Sequence, residues 1–334
     1  MFSNRTGIVY ESISTVPVVP PLRAILSALL SSGVVVNLYT AFALQRTKIN
    51  SLLTKLLLYQ QNLLDSLFAI LTISLIFTNN YRPKSNSIPV DWVTCYVFQS
   101  GVLSRIVRIA TICNSVCQSA DRFWAIIYPK TYRVYKRRYI VLCSLIIPIY
   151  SILTSITRMV KVTLINGSCM KKDVQINKYT SWVLESMLRY VIPIFVLSLL
   201  NVLVIRKLYE QKAVILKQTH SQSGTQDCSH VICEQGGNGS ISGPLNSVQK
   251  NIFLNTFFLA VGLTLVEIAS SVLAVMSMFN MVEHSVSSLS RVYYLVAVVL
   301  LSGLNRCVEI LTIPMLRNTV LIHWRMCISF CRKN

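Results

Sequence analysis

The chain has few charged residues, and acidic residues are the scarcest. Asp and Glu number 12 among 334 residues, against 32 Lys and Arg, and charged residues make up only 13% of the chain. Soluble domains carry about a quarter charged residues, so this composition argues against an ordinary soluble protein. Hydrophobic residues make up 53% and the mean hydropathy is +0.55, which is typical of a polytopic membrane protein.

The chain also lacks the motifs of common metal and catalytic sites. Its ten cysteines include no CxxC pair, which argues against a cysteine metal cluster. There is no HExxH or GxSxG motif, and the four histidines lie in or beside predicted loops and the tail. We therefore predict that the chain is not an enzyme. No basic region followed by an apolar one and a small-residue cleavage site is evident at the start of the sequence, so we expect no removable signal peptide and expect the first span to serve as the insertion signal.

Apolar blocks of about 20 residues or more recur along the chain, and each is long enough to cross a bilayer. The blocks are Leu22–Leu44, Leu52–Phe77, Trp92–Ile127, Tyr139–Thr157, Trp182–Leu208, Ile252–Phe279 and Leu289–Ile313. We therefore predict an all-α membrane protein with a seven-transmembrane helix bundle at 22-313. Residues 1-21 would form an extracellular N-terminus and 314-334 an amphipathic cytoplasmic tail. A polar stretch at about 212-249 would form a disordered inner loop.

The distribution of basic residues predicts the orientation of the bundle. With the C-terminus inside, the inner segments hold 18 of the 32 Lys and Arg, the outer segments ten and the spans four. This bias favours an extracellular N-terminus. The glycosylation sequons at Asn4 and Asn166 then fall outside. Because the basic residues are scattered between apolar blocks, the net charge of +20 does not indicate a nucleic-acid partner.

The most specific motif lies at the end of the third block. Residues 95–129 end in the sequence DRFWAIIYP, which begins at Asp121. It closely resembles the Asp-Arg-Tyr-x-Ala-Ile-x-x-Pro signature of rhodopsin-like G-protein-coupled receptors, with Phe123 in place of the tyrosine. The resemblance implies a plasma-membrane receptor that binds an extracellular ligand and activates a heterotrimeric G-protein. It also implies that Asp121, Arg122 and Asn305 belong to the coupling switch.

Polar residues in other predicted spans extend this resemblance. Asp65 in the second span matches an aspartate that binds a sodium ion in the family, so a sodium ion or water between Asn37, Asp65 and Asn305 is expected. Gly33, on the same helix as Asn37, offers a site of close helix packing. The seventh span departs from the family pattern, because Arg306 and Glu309 replace a proline and a tyrosine.

The resemblance also assigns roles to four cysteines. Cys95 opens the third span and Cys169 lies in the next outer loop, where the family has a disulfide. The tail resembles the short amphipathic eighth helix of the family, with a lipidated cysteine at Cys327 or Cys331. An unmodified basic tail at the membrane is the alternative.

Ionisable residues inside the spans are the candidate ligand pocket, because they are costly in a bilayer unless they are paired or functional. Arg105 and Arg108 are three residues apart on one helix face, and Glu185 and Arg189 are four apart. Two interpretations stay open: an internal salt-bridge network, or a pocket whose arginines bind a ligand carboxylate. Ser104 stands where amine receptors of the family carry an aspartate, which favours a peptide or small anionic ligand over a monoamine. The candidate residues are Ser104, Arg105, Arg108, Glu185, Arg189 and Glu267.

Other functional classes remain alternatives to a signalling receptor. A non-signalling seven-span scaffold or a chemosensory receptor would keep the same bundle. A transporter or channel is less favoured, because we find neither inverted repeats nor helices broken by Gly or Pro in matching halves.

Overall fold

The computed structural model describes residues 2–3, 9–12, 20–47, 51–78, 92–160, 162–165, 168–172, 178–222, 247–279, 281 and 289–331. Long helices dominate these ranges. They are α1 (Pro20–Arg46), α2 (Leu52–Thr78), α3 (Val102–Ile127), α4 (Pro129–Val160), α5 (Lys178–Ser186), α6 (Ile192–Gln222), α7 (Ser247–Met278), α8 (Leu289–Thr312) and α9 (Pro314–Cys331). Two π-helical turns lead into α3 and α6, at Thr94–Gln99 and Met187–Val191 respectively.

Proline and glycine mark several of the helix starts. Pro20, Pro129 and Pro314 each occupy the first position of a helix, where no backbone N–H is needed and the fixed φ angle suits the first turn. Gly101 separates the first π-helical turn from α3 with a φ angle of 69°, a left-handed conformation that favours glycine. The chain therefore changes direction locally just before α3.

Within the described ranges, six helices are long and apolar enough to cross a membrane. These candidate spans are Pro20–Arg46, Leu52–Phe77, Pro129–Ile156, Val183–Glu210, Phe253–Leu273 and Val292–Thr312. The prediction of a helical, multi-pass membrane protein is thus confirmed. Helix α3 is not among the six, and it carries Arg105, Arg108, Asp121 and Arg122. The seventh span stays a prediction.

Helix α3 lies at the centre of the helix bundle. It packs against α2, α4, α6 and α7, and most of its residues are buried, including all four of its charged ones. By contrast, α4 exposes a row of large apolar side chains such as Leu142, Leu145, Ile149 and Leu153. Apolar residues on the outside and polar residues at the centre are what a bilayer requires, because unpaired charges are costly in lipid.

A close approach of α1 and α8 depends on a glycine. A Cβ atom on Gly33 would lie only 2.7 Å from the Val299 Cγ1 atom. A larger side chain at this position would therefore require at least the Val299 side chain to shift. The predicted packing role of Gly33 is therefore confirmed.

A small antiparallel sheet, which the sequence did not predict, joins the N-terminal segment to the loop after α4. Its strands are β1 (Phe2–Ser3), β2 (Val9–Ser12), β3 (Val162–Ile165) and β4 (Ser168–Lys172), in the order β1-β2-β4-β3. In the β3–β4 pair, Leu164 lies opposite Cys169. Strands this short carry little periodic signal, so their pairing is set by the surrounding chain.

The tail forms helix α9, which packs on α1. Leu316 is fully buried in a cluster with Ala43 and Leu44 of α1. Farther along, the Thr319 hydroxyl lies 3.4 Å from the Thr47 hydroxyl. The predicted inner loop at about 212-249 overlaps the described helices at both ends, because α6 continues to Gln222 and α7 begins at Ser247.

Candidate functional site

The buried charges form three groups along α3. We name the two ends of the bundle by residues of this region: the Cys95 end, where α3 begins, and the Arg122 end, where it finishes. The first group lies near the Cys95 end, the second at mid-depth between α2 and α8, and the third at the Arg122 end. Each group joins residues from different helices, so local sequence patterns do not reveal which of these residues pair with one another.

At the Cys95 end, both α3 arginines form ion pairs. Arg105 pairs with Glu185 of α5, and its guanidinium also lies 3.5 Å from the Thr154 carbonyl oxygen. Arg108 Nε donates to Glu267 Oε1 of α7 at 2.9 Å. The structure thus brings together the predicted pocket residues as two separate pairs, which relieves the repulsion expected between neighbouring arginines.

Arg189 differs from these two arginines. Sequence spacing suggested that it shares a helix face with Glu185, but the π-helical turn Met187–Val191 separates them and Glu185 pairs with Arg105 instead. No carboxylate among the described residues lies within ion-pair distance of Arg189. Its guanidinium carbon lies 4.7 Å from the ring centre of Tyr190, a cation–π contact.

Several buried polar atoms near these pairs have no hydrogen-bond partner in the described part of the chain. They include Arg189 Nε, Glu267 Oε2 and the Tyr294 hydroxyl. An unsatisfied buried polar group costs about 1–3 kcal/mol, so such atoms are concentrated where a protein meets water or a ligand. Ser104 is buried on α3 beside Arg105, and its hydroxyl forms no hydrogen bond with another described residue.

The second group was missed as a site by the sequence analysis, although its residues were noted as departures from the family pattern. Arg306 Nη1 lies 2.5 Å from Glu309 Oε2 on the same helix, and its Nη2 lies 3.3 Å from Asp65 Oδ2 on α2. Arg306 is 2% exposed and Glu309 is fully buried. The i, i+3 spacing of two ionisable residues inside an apolar helix was the available signal.

The surroundings of Asp65 bear on the predicted sodium ion. Arg306 already supplies a positive charge to Asp65, and the adjoining cavity, which Asn305 also lines, measures only about 10 Å³. Asn37 donates to the Gly33 carbonyl oxygen at 2.8 Å and lies 3.5 Å from the Ser302 hydroxyl, which lines the same cavity as Asp65. A cavity of roughly 10–15 Å³ holds about one water. The residues fit an internal guanidinium better than a bound sodium ion.

The third group contains the motif at the end of α3. Arg122 Nη2 lies 2.7 Å from Asp121 Oδ2, and Arg122 is only 7% exposed. Asp121 also accepts hydrogen bonds from Thr54 of α2 at 3.0 Å and from the Tyr132 hydroxyl of α4 at 2.6 Å. Arg122 in addition contacts the Thr54 hydroxyl. Thr54 and Tyr132 were not predicted, because no pattern near the motif identifies partners on other helices.

Asn305 does not lie with this third group. It lines the mid-depth cavity with Asp65, while the cavity beside Asp121 and Arg122 is lined by residues such as Thr54. The structure therefore divides the predicted switch residues between two levels of the bundle.

The predicted covalent sites are described only in part. Cys95 is disulfide-bonded, and its sulfur lies 3.9 Å from the Thr163 carbonyl oxygen of β3. The side chains of Cys169, Cys327 and Cys331 are not described. Asn4 and Asn166 also lie outside the described residues. The disulfide partner, glycosylation and lipidation stay predictions.

No protein-family model matches this chain, and no curated protein matches it in sequence. Any assignment of function therefore depends on the residues and their geometry.

Proposed function

We propose that the chain is a divergent rhodopsin-like G-protein-coupled receptor. The observation that carries the proposal is the arrangement along α3, which joins a charged cluster at its start to the buried Asp121–Arg122 pair at its end. One helix thereby connects a buried charged region with a cationic side chain suited to a cytoplasmic partner.

In this proposal α3 is the seventh membrane span. Its 26 residues correspond to about 39 Å of helix at 1.5 Å per residue, which is enough to cross the hydrocarbon core. Its charges are shielded from lipid by the helices packed around it. The excess of basic residues on the Arg122 side supports an extracellular N-terminus in the plasma membrane.

The Cys95 end would bind the ligand, and we propose that the ligand is a peptide or a small anion. The arginines Arg105, Arg108 and Arg189 outnumber the carboxylates Glu185 and Glu267 there, among the residues that the structure describes. A ligand carboxylate would balance this charge, and guanidinium groups bind carboxylates in bidentate fashion. Among the described residues at this end, both carboxylates already pair with an arginine, so a cationic amine would have to displace one of them.

The Arg122 end would bind a heterotrimeric G-protein. In the resting arrangement Asp121 holds Arg122, and Thr54 and Tyr132 fix the orientation of that carboxylate. A ligand that favours a more open bundle would free Arg122, and the coupling would be reciprocal. We further propose that Cys95 pairs with Cys169 and that the tail of α9 lies at the inner membrane surface.

A G-protein activation assay in cells tests this proposal. The native chain is compared with Arg122→Ala at equal surface expression, first without ligand and then against a peptide and metabolite library. Arg46→Ala is the control, because Arg46 is exposed at the end of α1. We expect Arg122→Ala alone to abolish the signal. A silent native chain, or equal signals from all three proteins, would favour the scaffold.

A further inference from the structure

An apolar groove opens between α6 and α7 on the outer surface of the bundle, near the Cys95 end. Its volume is about 640 Å³, within the roughly 300–1,000 Å³ of small-molecule sites. It is lined by Tyr190, Ile194, Phe195, Ile268, Val272 and Met276, among others. Both helices belong to candidate membrane spans, so the groove faces the bilayer rather than water.

The π-helical turn Met187–Val191 shapes one edge of this groove. A π turn holds one more residue per turn than an α-helix, and such turns are frequent at functional sites. Here the turn places Tyr190 across the gap, with its hydroxyl 3.2 Å from the Ser270 hydroxyl of α7. Because both side chains are buried, this bridge lies on the inner side of the groove.

Arg189 is not part of the lining, but its positive charge adjoins this edge through Tyr190. The Arg189 guanidinium carbon is 4.7 Å from the centre of the Tyr190 ring, which lines the groove. No carboxylate in the described part of the chain pairs with Arg189, and its Nε has no hydrogen-bond partner there. In a bilayer an unpaired arginine is costly, so an anion at this edge would be stabilised.

We propose that the groove binds a single-chain anionic amphiphile of the long-chain fatty-acid class. Its carboxylate would pair with Arg189, and its hydrocarbon chain would lie along the apolar lining between α6 and α7. A neutral lipid would fill the groove but leave Arg189 unpaired. The proposal deepens the proposed function, because Arg189 belongs to the ligand pocket, yet the binding itself requires no G-protein.

Photolabelling of the purified full-length protein tests this inference. The protein is placed in phosphatidylcholine nanodiscs and exposed to a photoreactive palmitic acid analogue or to the matched hexadecanol analogue. We expect the acid to label peptides that contain Ile194 or Val272, and unlabelled palmitate to compete. The alcohol should label these peptides weakly, because it cannot form an ion pair with Arg189.

Variants separate a specific site from ordinary membrane lipid. Arg189→Gln should weaken acid binding about tenfold or more, because a charge-assisted pair is lost. Val272→Trp should fill the groove and remove labelling, with Ile268→Trp as a second filling variant. Leu265→Trp is the control, since Leu265 is lipid-exposed on α7 outside the groove. Thermal unfolding of each variant verifies that it is folded.

Two results would overturn the inference: equal labelling by acid and alcohol, or full acid labelling of Arg189→Gln. If the chain binds the fatty acid specifically but activates no G-protein, the proposed receptor function is refuted and the proposed fatty-acid site is supported. If the chain activates a G-protein but does not bind the fatty acid, only the proposed fatty-acid site is refuted.

Discussion

Replacing Arg306 by glutamine should destabilise the bundle strongly. Arg306 faces Asp65 at 3.3 Å and Glu309 at 2.5 Å, and none of the three side chains is more than 6% exposed. At an effective dielectric constant of about 20, Coulomb's law gives about 5 and about 7 kcal/mol for these two attractions. Desolvation offsets much of this, and removal of one member of a buried ion pair costs about 3–5 kcal/mol. Two uncompensated carboxylates would be left.

Thermal unfolding with a thiol-reactive dye measures the effect, because Cys117 and Cys143 are free and buried and react once the bundle opens. We expect Arg306→Gln to lower the melting temperature by about 5 °C or more. The control Arg325→Gln, at an exposed position of α9, should change it little. Adding Glu309→Gln to Arg306→Gln should recover part of the loss, because one buried negative charge is removed.

The same assay tests whether Arg306 replaces a bound cation. Exchange of sodium for choline at constant ionic strength should leave the native melting temperature unchanged. In Arg306→Gln, sodium should raise it, because Asp65 and Glu309 then lack a positive partner. Sodium-specific stabilisation of the native protein, or an Arg306→Gln variant as stable as the native chain, would refute this account of the mid-depth cluster.

Two further substitutions test the packing and the charge pairing. Gly33→Ala should destabilise the bundle by roughly 1–3 kcal/mol through overpacking. Adding Val299→Ala to Gly33→Ala should recover part of this loss. The control Gly303→Ala should be neutral, because nothing lies within 4 Å of its added Cβ. Glu267→Gln should cost about 3–5 kcal/mol, since it leaves a buried arginine unpaired. Glu210→Gln, in an exposed pair, should cost less than about 1 kcal/mol. Thermal unfolding measures all five variants, and similar losses for Glu267→Gln and Glu210→Gln would contradict the assignment of Glu267 to a buried pair.

The sequence was sufficient to predict the helical membrane bundle, because long apolar runs depend only on local composition. It also identified most of the buried charges, because a charged residue within an apolar segment can be recognised without knowing its partner. The choice of partner was not predictable. Glu185 pairs with Arg105 rather than with Arg189, because a π-helical turn alters the helix face. Tyr132 reaches Asp121 only because α4 begins immediately at Pro129.

The arrangement of charges suggests how ligand charge could control the bundle. Arg108 joins α3 to α7, Arg105 joins α3 to α5, and Arg306 joins α8 to α2. These ion pairs fix the rotation and depth of the helices relative to one another, since lipid provides little hydrophobic force between helices. A ligand anion that pairs with Arg108 would compete directly with Glu267 and weaken the contact between α3 and α7. A ligand shifts an equilibrium only by its differential affinity for two states. In the proposed receptor, an anion that breaks this pair would therefore shift the bundle more than a neutral molecule of the same shape.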